Sequence, residues 1–283
     1  MGKRMNILLK SRLKNKYTII SSIVTFIVTF SWLFGSELIQ VLFSYGDDVA
    51  LSYKDYVYFM WDQLLCWEFF MDSMTRYLIF VFPILVSFST LNIITELESY
   101  HVLAAVRYKS RKQSIIRGAL WQSFFSSLVV CLPIMFLEII VDYLLYPGLE
   151  NLAGFAELFP SGFYHQHPMF LMVVMVLILY IPLAFSYGLI SVSVGIMSRN
   201  SKLVLIVPEV LYICGNALAM LTKGKTMTDT LDLLTAFNTG RKPGELFMIL
   251  GMQLFFSSII FSLAMYMESH RKIIGDTNEN KGR

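Results

Sequence analysis

Residues 169–198 read MFLMVVMVLILYIPLAFSYGLISVSVGIMS, an unbroken run with no Asp, Glu, Lys or Arg. A bilayer core about 30 Å thick needs about 20 apolar residues per helical crossing, so this run exceeds one crossing and implies tilt, a kink or protrusion into water. Working outward, comparable runs lie at 18–43, 77–94, 119–146, 203–221 and 246–267. Six crossings follow, within a transmembrane domain over 18–267. Alternating polar and apolar strands are absent, which argues against a membrane β-barrel and for an all-α polytopic membrane protein. Composition agrees: 56% of residues are hydrophobic and 15% charged, with a mean hydropathy of +0.61.

Charge gives these crossings a direction. Lys and Arg in short loops favour the cytoplasmic side. With the N-terminus inside, 1–17, 95–118, 199–202 and 268–283 hold 17 of the 23 basic residues, and the alternate segments hold 6, namely Lys54, Arg76, Lys223, Lys225, Arg241 and Lys242. Both ends are therefore expected in the cytoplasm, with the chain multi-pass in the cell membrane. A cleaved signal peptide is the competing reading of the N-terminus. The run from Thr18 is long and bulky and lacks an A-x-A-like exit, which favours a retained first helix. Cys66, Cys131 and Cys214 are odd in number and scattered, so no disulfide framework or metal spacing follows.

The polar segments carry further patterns. In MGKRMNILLKSRLKNKY, 1–17, Met5, Leu8, Leu9 and Leu13 recur at helical spacing among Lys10, Arg12, Lys14 and Lys16, as in a basic amphipathic helix lying on anionic lipid. The alternative, an ordinary positive-inside flank, needs only the charges; the surface helix is the favoured reading. The outer segment 44–76 mixes Asp47, Asp48, Asp55, Asp62, Glu68 and Asp72 with Tyr53, Tyr56, Tyr58, Trp61, Trp67, Phe69 and Phe70. That composition suits an interfacial cap or a recognition surface. His165 and His167, in the outer segment 147–168, lack further ligands nearby and read as loop polarity. In the outer segment 222–244, Thr228 is placed to cap a short helix over 230–237, ended by Asn238 to Gly240, with Leu231, Leu234 and Phe237 on one side, able to dip into the outer leaflet. The tail 268–283 is polar and expected in the cytoplasm, and its end, GDTNENKGR (275–283), is expected to be disordered.

Three acids stand out within the apolar runs: Glu138, Asp142 and Glu209. At 1.5 Å per residue, Asp142 lies roughly 15 Å from the middle of its crossing, Glu138 roughly 9 Å and Glu209 roughly 5 Å. Glu138 and Asp142 are four apart, hence on one face, where they line an outward vestibule for a cationic substrate or simply reach the interface. Glu209 follows Pro208 and is the acid least easily explained by snorkelling; packing and substrate contact are both open to it. Pro83, Pro133 and Pro182 mark kinks, and Ser186, Gly188, Ser191, Ser193 and Gly195 are small enough to let helices approach closely.

The inner segment TELESYHVLAAVRYKSRKQSIIRGALW, 95–121, opens with Leu97, Tyr100, Leu103 and Ala104 at spacings of three and four and continues with Arg107, Lys109, Arg111, Lys112 and Arg117. A short helix parallel to the membrane followed by a basic return is the implied geometry. Together with the basic N-terminal helix and the helical stretch before the sixth crossing, this arrangement resembles the ATP-binding-cassette (ABC) type 2 transporter permeases. The resemblance implies a dimeric pore made with a second permease subunit, like or unlike this one, each half seated on a separate ABC ATPase. Glu96, Glu98, Tyr100, His101, Arg107 and Arg111 then belong to the element that couples to that ATPase. The expected function is export of an amphiphilic substrate, whether peptide, drug or lipid, across lipids that are themselves partners.

The chain carries no G-x-x-x-x-G-K-[ST] phosphate loop, so it is expected to bind no cofactor of its own, with ATP and Mg on the partner. It is not expected to be an enzyme or to bind nucleic acid. An intramembrane enzyme is the alternative class, but H-E-x-x-H and G-x-S-x-G are absent. A membrane immunity or sensing subunit that binds a partner without transporting it shares every argument from composition.

Overall fold

The computed structural model describes residues 15–31, 52–56, 67–98, 111–144, 154–222 and 227–279. Among them the long elements are all helical: α1 (Lys16–Phe30), α2 (Trp67–Thr90), α3 (Asn92–Glu98), α4 (Arg111–Leu144), α5 (Pro168–Met175), α6 (Ile181–Ser198), α7 (Ser201–Leu221) and α8 (Pro243–Glu279). A π-helical turn, Val176–Tyr180, joins α5 to α6. Five stretches, Tyr77–Leu97, Lys112–Ile140, Pro168–Ser198, Ser201–Leu221 and Pro243–His270, are long and apolar enough to cross a membrane. Of the expected first crossing, α1 supplies 18–30, and 32–43 lie outside the described residues, as do 1–14.

Helix α1 is inverted relative to an amphipathic helix of a water-soluble bundle. The buried stripe of α1 is Thr18, Ser21, Thr25 and Thr29, while Ile19, Ile20, Ile23 and Ile27 face outward. In lipid the outer face is already in an apolar solvent, so hydroxyls turn inward to find partners. Ser21 Oγ donates to the Leu85 carbonyl of α2 at 2.7 Å, and Thr25 and Thr29 each donate to the carbonyl four residues back. The pattern continues between α2 and α4. Gln122 Nε2 donates to the Ser89 carbonyl at 2.7 Å, Ser126 donates to the Val86 carbonyl, and Ser89 bonds Ser126. Phe80, Trp121, Leu132 and Phe136 meanwhile point outward.

The central helix is α6, buried at nearly every position from Leu183 to Ile196. Its small residues make that possible. A Cβ on Gly188 would lie 3.2 Å from both Cα and O of Ser123, and one on Gly195 would lie 2.7 Å from Cγ2 of Ile93. Thr90 and Ser191 bond at 2.7 Å, and Ser191 Oγ donates on to the Val204 carbonyl at 3.0 Å, linking α2, α6 and α7. Arg199, at φ 53°, ends α6 in the left-handed region, and Asn200 Oδ1 accepts from Lys202 N–H at 3.0 Å to cap α7. Two residues thus suffice for the link. Beside it, both oxygens of Glu268 in α8 accept from Arg199 Nη2, at 3.1 and 3.3 Å.

Several boundaries differ from those read in the sequence. Helix α2 starts at Trp67, within the expected outer segment, and α4 starts at Arg111, ahead of the expected 119. Helix α8 runs through Glu279, so 275–279 continue the helix into the stretch expected to be disordered. Hydropathy marks where lipid stops, whereas a helix needs only its own backbone bonds to continue past that point.

Candidate functional site

The segment between α7 and α8 turns back into the bundle. Leu231–Leu234 form one helical turn and Ala236–Asn238 a 3-10 turn, and Leu233, Leu234, Ala236 and Phe237 are buried in the main core. The expected cap does not form: Thr230 occupies the N-cap position, while Thr228 Oγ1 donates to the Gly215 carbonyl of α7 at 3.0 Å. Gly215 stands six residues before the end of α7, so the segment descends roughly 9 Å below that end. We refer to 227–240 as the re-entrant segment.

Two tyrosines hold it. Tyr180, the last residue of the π turn, donates its hydroxyl to the Leu234 carbonyl at 2.7 Å. Tyr187, one heptad further along, bonds Thr230 Oγ1 at 3.0 Å. Thr230 Oγ1 also donates to Asn216 Oδ1 at 3.3 Å, and that oxygen accepts the Leu231 N–H at 3.2 Å. The π turn has a local cause. Pro182 has no N–H for the carbonyl of Ile178, and its ring crowds that carbonyl, a conflict that a wider turn relieves.

Two of the acids are described in the bundle. Glu138 is 4% exposed and neither of its carboxyl oxygens has a hydrogen-bond partner. It lies one turn beyond Ile134 on the face of α4 that also buries Cys131. Glu209 sits against the backbone at Ile84 of α2, with Oε2 buried and unpartnered. The rings of Tyr187 and Tyr212 meet edge to face, with centroids 5.8 Å apart. Asp142 lies one turn beyond Glu138 on α4, where its side chain is outside the described residues.

A charged clasp closes the segment above. Arg241 Nε is 2.6 Å from Asp232 Oδ2, and its guanidinium lies 3.7 Å from Asp229 and 3.8 Å from Glu245. Burial, reinforced by the charge of Asp232 and offset in part by Arg241, raises the Asp229 carboxyl above its ordinary value. The short helix Gly154–Leu158 packs over the 3-10 turn. Gly154 adopts φ 68°, and a Cβ there would lie 2.5 Å from the Ala236 carbonyl oxygen, so only glycine fits. Phe155 is buried in the same core, and His167 is exposed. Among the described residues no group of His, Cys, Asp or Glu is arranged to hold a metal ion.

At the opposite end, α3 follows α2 after a turn at Leu91. Ile93 and Leu97 of α3 join Ile115 and Ala119 of α4, Val192 and Ile196 of α6, and Ala264 and Met265 of α8 in a second core. Glu96 is half-buried on α3, Glu98 is its last residue, and Arg111 begins α4. Tyr100, His101 and Arg107 lie outside the described residues, as do the side chains of Glu98 and Arg111. Comparison with family models, curated proteins and solved structures finds no match to this chain.

Proposed function

We propose that this chain is the membrane-spanning permease subunit of an ABC type 2 exporter, with six crossings and both termini in the cytoplasm. The observation that carries this reading is the re-entrant segment, seated in the bundle between α7 and α8 and held there by Tyr180 and Tyr187. A pore that alternates its access needs a movable plug at one face and a rigid point of force at the other. The second core supports the latter role, because it anchors α3 and α4 on either side of residues 99–110. A partner ABC ATPase, carrying ATP and Mg, pushes on that element through Glu96, Glu98, Tyr100, His101, Arg107 and Arg111. A second permease subunit completes the pore, and the substrate is an amphiphile, with Glu138, Asp142 and Glu209 along its path. The cell membrane is the site of action.

Affinity purification of the tagged chain from its own membranes in mild detergent is expected to return an ATPase bearing a phosphate loop. Charge reversal at Glu98 and Arg107 together is expected to lower substrate-stimulated ATP turnover about tenfold, ~1.4 kcal/mol of coupling, with insertion into the membrane unchanged. Undiminished turnover in that variant sinks the coupling assignment, and purification without any ATPase sinks the exporter reading.

A further inference from the structure

The re-entrant segment is tied to the bundle along two seams of different chemistry. On the α7 side, Thr228 Oγ1 donates to the Gly215 carbonyl at 3.0 Å, and Asn216 Oδ1 accepts from Thr230 Oγ1 at 3.3 Å and from the Leu231 N–H at 3.2 Å. On the α6 side, Tyr180 donates to the Leu234 carbonyl at 2.7 Å and Tyr187 bonds Thr230 Oγ1 at 3.0 Å. Thr230 has one hydroxyl proton and gives it to Asn216, so Tyr187 is the donor in that last bond. The segment thus shows only acceptor oxygens to the two phenols, whereas to α7 it commits a backbone N–H. Leu231 opens its helical turn, so that N–H has no partner within the turn and depends on Asn216. Parting from α7 strands it, and N–H groups away from water are rarely left without an acceptor. Parting from the tyrosines strands one carbonyl, that of Leu234, a loss tolerated more readily, while Thr230 keeps its bond to Asn216. Apolar contacts do not reverse this order, because lipid tails are as apolar as the leucines they replace.

We propose that the re-entrant segment is a flap hinged on α7, which opens by parting from Tyr180 and Tyr187 while Asn216 and Gly215 keep hold of its first residues. Residues 228–231 form the hinge side and 232–237 the free side. Asn216 is the pin, since one amide oxygen carries both the side chain of Thr230 and the main chain of Leu231. The Arg241 clasp limits the travel by joining Asp229 and Asp232 to Glu245 at the start of α8. The opened seam is lined by two phenols seven residues apart, one on the π turn and one on α6. This goes beyond the exporter reading and stands whether or not an ATPase is the partner.

The test uses the full chain in lipid nanodiscs and reads amide hydrogen exchange as protection factors. Two amides report separately: the Leu231 N–H, bonded to Asn216, and the Thr235 N–H, bonded to the Leu231 carbonyl at 3.1 Å. A single helical turn does not hold its own bond in water, so opening of the flap exposes Thr235. In the native chain Leu231 is expected to be about tenfold or more better protected than Thr235, as local opening of the free side alone requires. Tyr180→Phe and Tyr187→Phe remove only a hydroxyl; each is expected to lower Thr235 protection about fivefold, the worth of one neutral hydrogen bond, and to leave Leu231 within about twofold. Native protection of Leu231 no greater than that of Thr235 overturns the hinge without any variant. Equal loss at both amides in the tyrosine variants means that the whole segment leaves α7, which overturns it as well. Unchanged Thr235 protection in both variants removes the tyrosines from the opening seam and the proposal with them.

Discussion

Arg241 bridges the two ends of the re-entrant segment by pairing with Asp232 at 2.6 Å while its guanidinium also faces Asp229 and Glu245. One cation therefore serves three carboxylates. Arg241→Ala leaves them facing one another without a counterion, in a setting where the arginine side chain is only 16% exposed. A hydrogen bond to a charged partner contributes about 1.5–3 kcal/mol, so the variant is expected to loosen 227–240 by about 2 kcal/mol. Limited proteolysis, compared with the native chain in the same nanodiscs, reads that loosening as faster cleavage within the segment.

Asp229 gives the re-entrant segment a pH dependence of definite sign. Its carboxyl is raised by burial first and by Asp232 second, so the folded chain holds this proton more tightly than the unfolded one. The stabilising contribution is fully present below the ordinary value of 3.8 and is lost as pH rises through the raised folded value. Asp229→Asn cannot lose the proton it mimics. Thermal unfolding followed across mildly acidic pH is expected to show a flatter profile for the variant, and an unchanged slope contradicts the assignment.

Close packing of α6 makes a separable prediction at two glycines. Gly188→Ala drives a methyl to 3.2 Å from the Ser123 backbone, which cannot move without shifting α4. Gly195→Ala meets the Ile93 side chain at 2.7 Å, and that group can be removed. Overpacking of this kind costs about 1–3 kcal/mol. The double variant Gly195→Ala with Ile93→Ala is therefore expected to lose less stability than the sum of the singles, a coupling that unfolding of all four species measures. Strict additivity places the contact elsewhere.

Thiol chemistry tests how α7 sits in the membrane. Cys131 is buried, whereas Cys214 is exposed on the outward face of α7. Thiolate is the reactive form and needs a polar surrounding to exist. With Cys66 replaced by Ser, a charged thiol reagent is expected to label neither cysteine in intact membranes, and detergent denaturation is expected to expose both. Rapid labelling of Cys214 by the charged reagent in intact membranes places that face in water and removes α7 from the crossings.

Much of the bundle was legible because length and hydropathy suffice for a lipid-spanning helix, as 169–198 shows. The descent of the re-entrant segment was partly legible, from Leu231, Leu234 and Phe237 at helical spacing. Its anchors were not, since Tyr180 and Tyr187 look like any aromatic residue in an apolar run. The signal that could have found them is their separation of seven, which puts both hydroxyls on one face, together with Asn216, a costly amide in the apolar run of α7. Thr228 resembled a cap because a hydroxyl before a helical pattern usually is one; the carbonyl of Gly215, remote in sequence, outcompeted the local partner. Glu138 and Glu209 were visible as acids, but only packing shows that each buries a carboxyl oxygen without a hydrogen-bond partner.

The two-residue link at Arg199 and Asn200 has a mechanical meaning. Helices α6 and α7 cannot separate at that end, where the Arg199 pair with Glu268 also binds α8. At their other ends nothing so short restrains them. The three helices thus form a tong with its pivot at one membrane face, and a small rotation there becomes a wide displacement at the far tips, where the re-entrant segment rests.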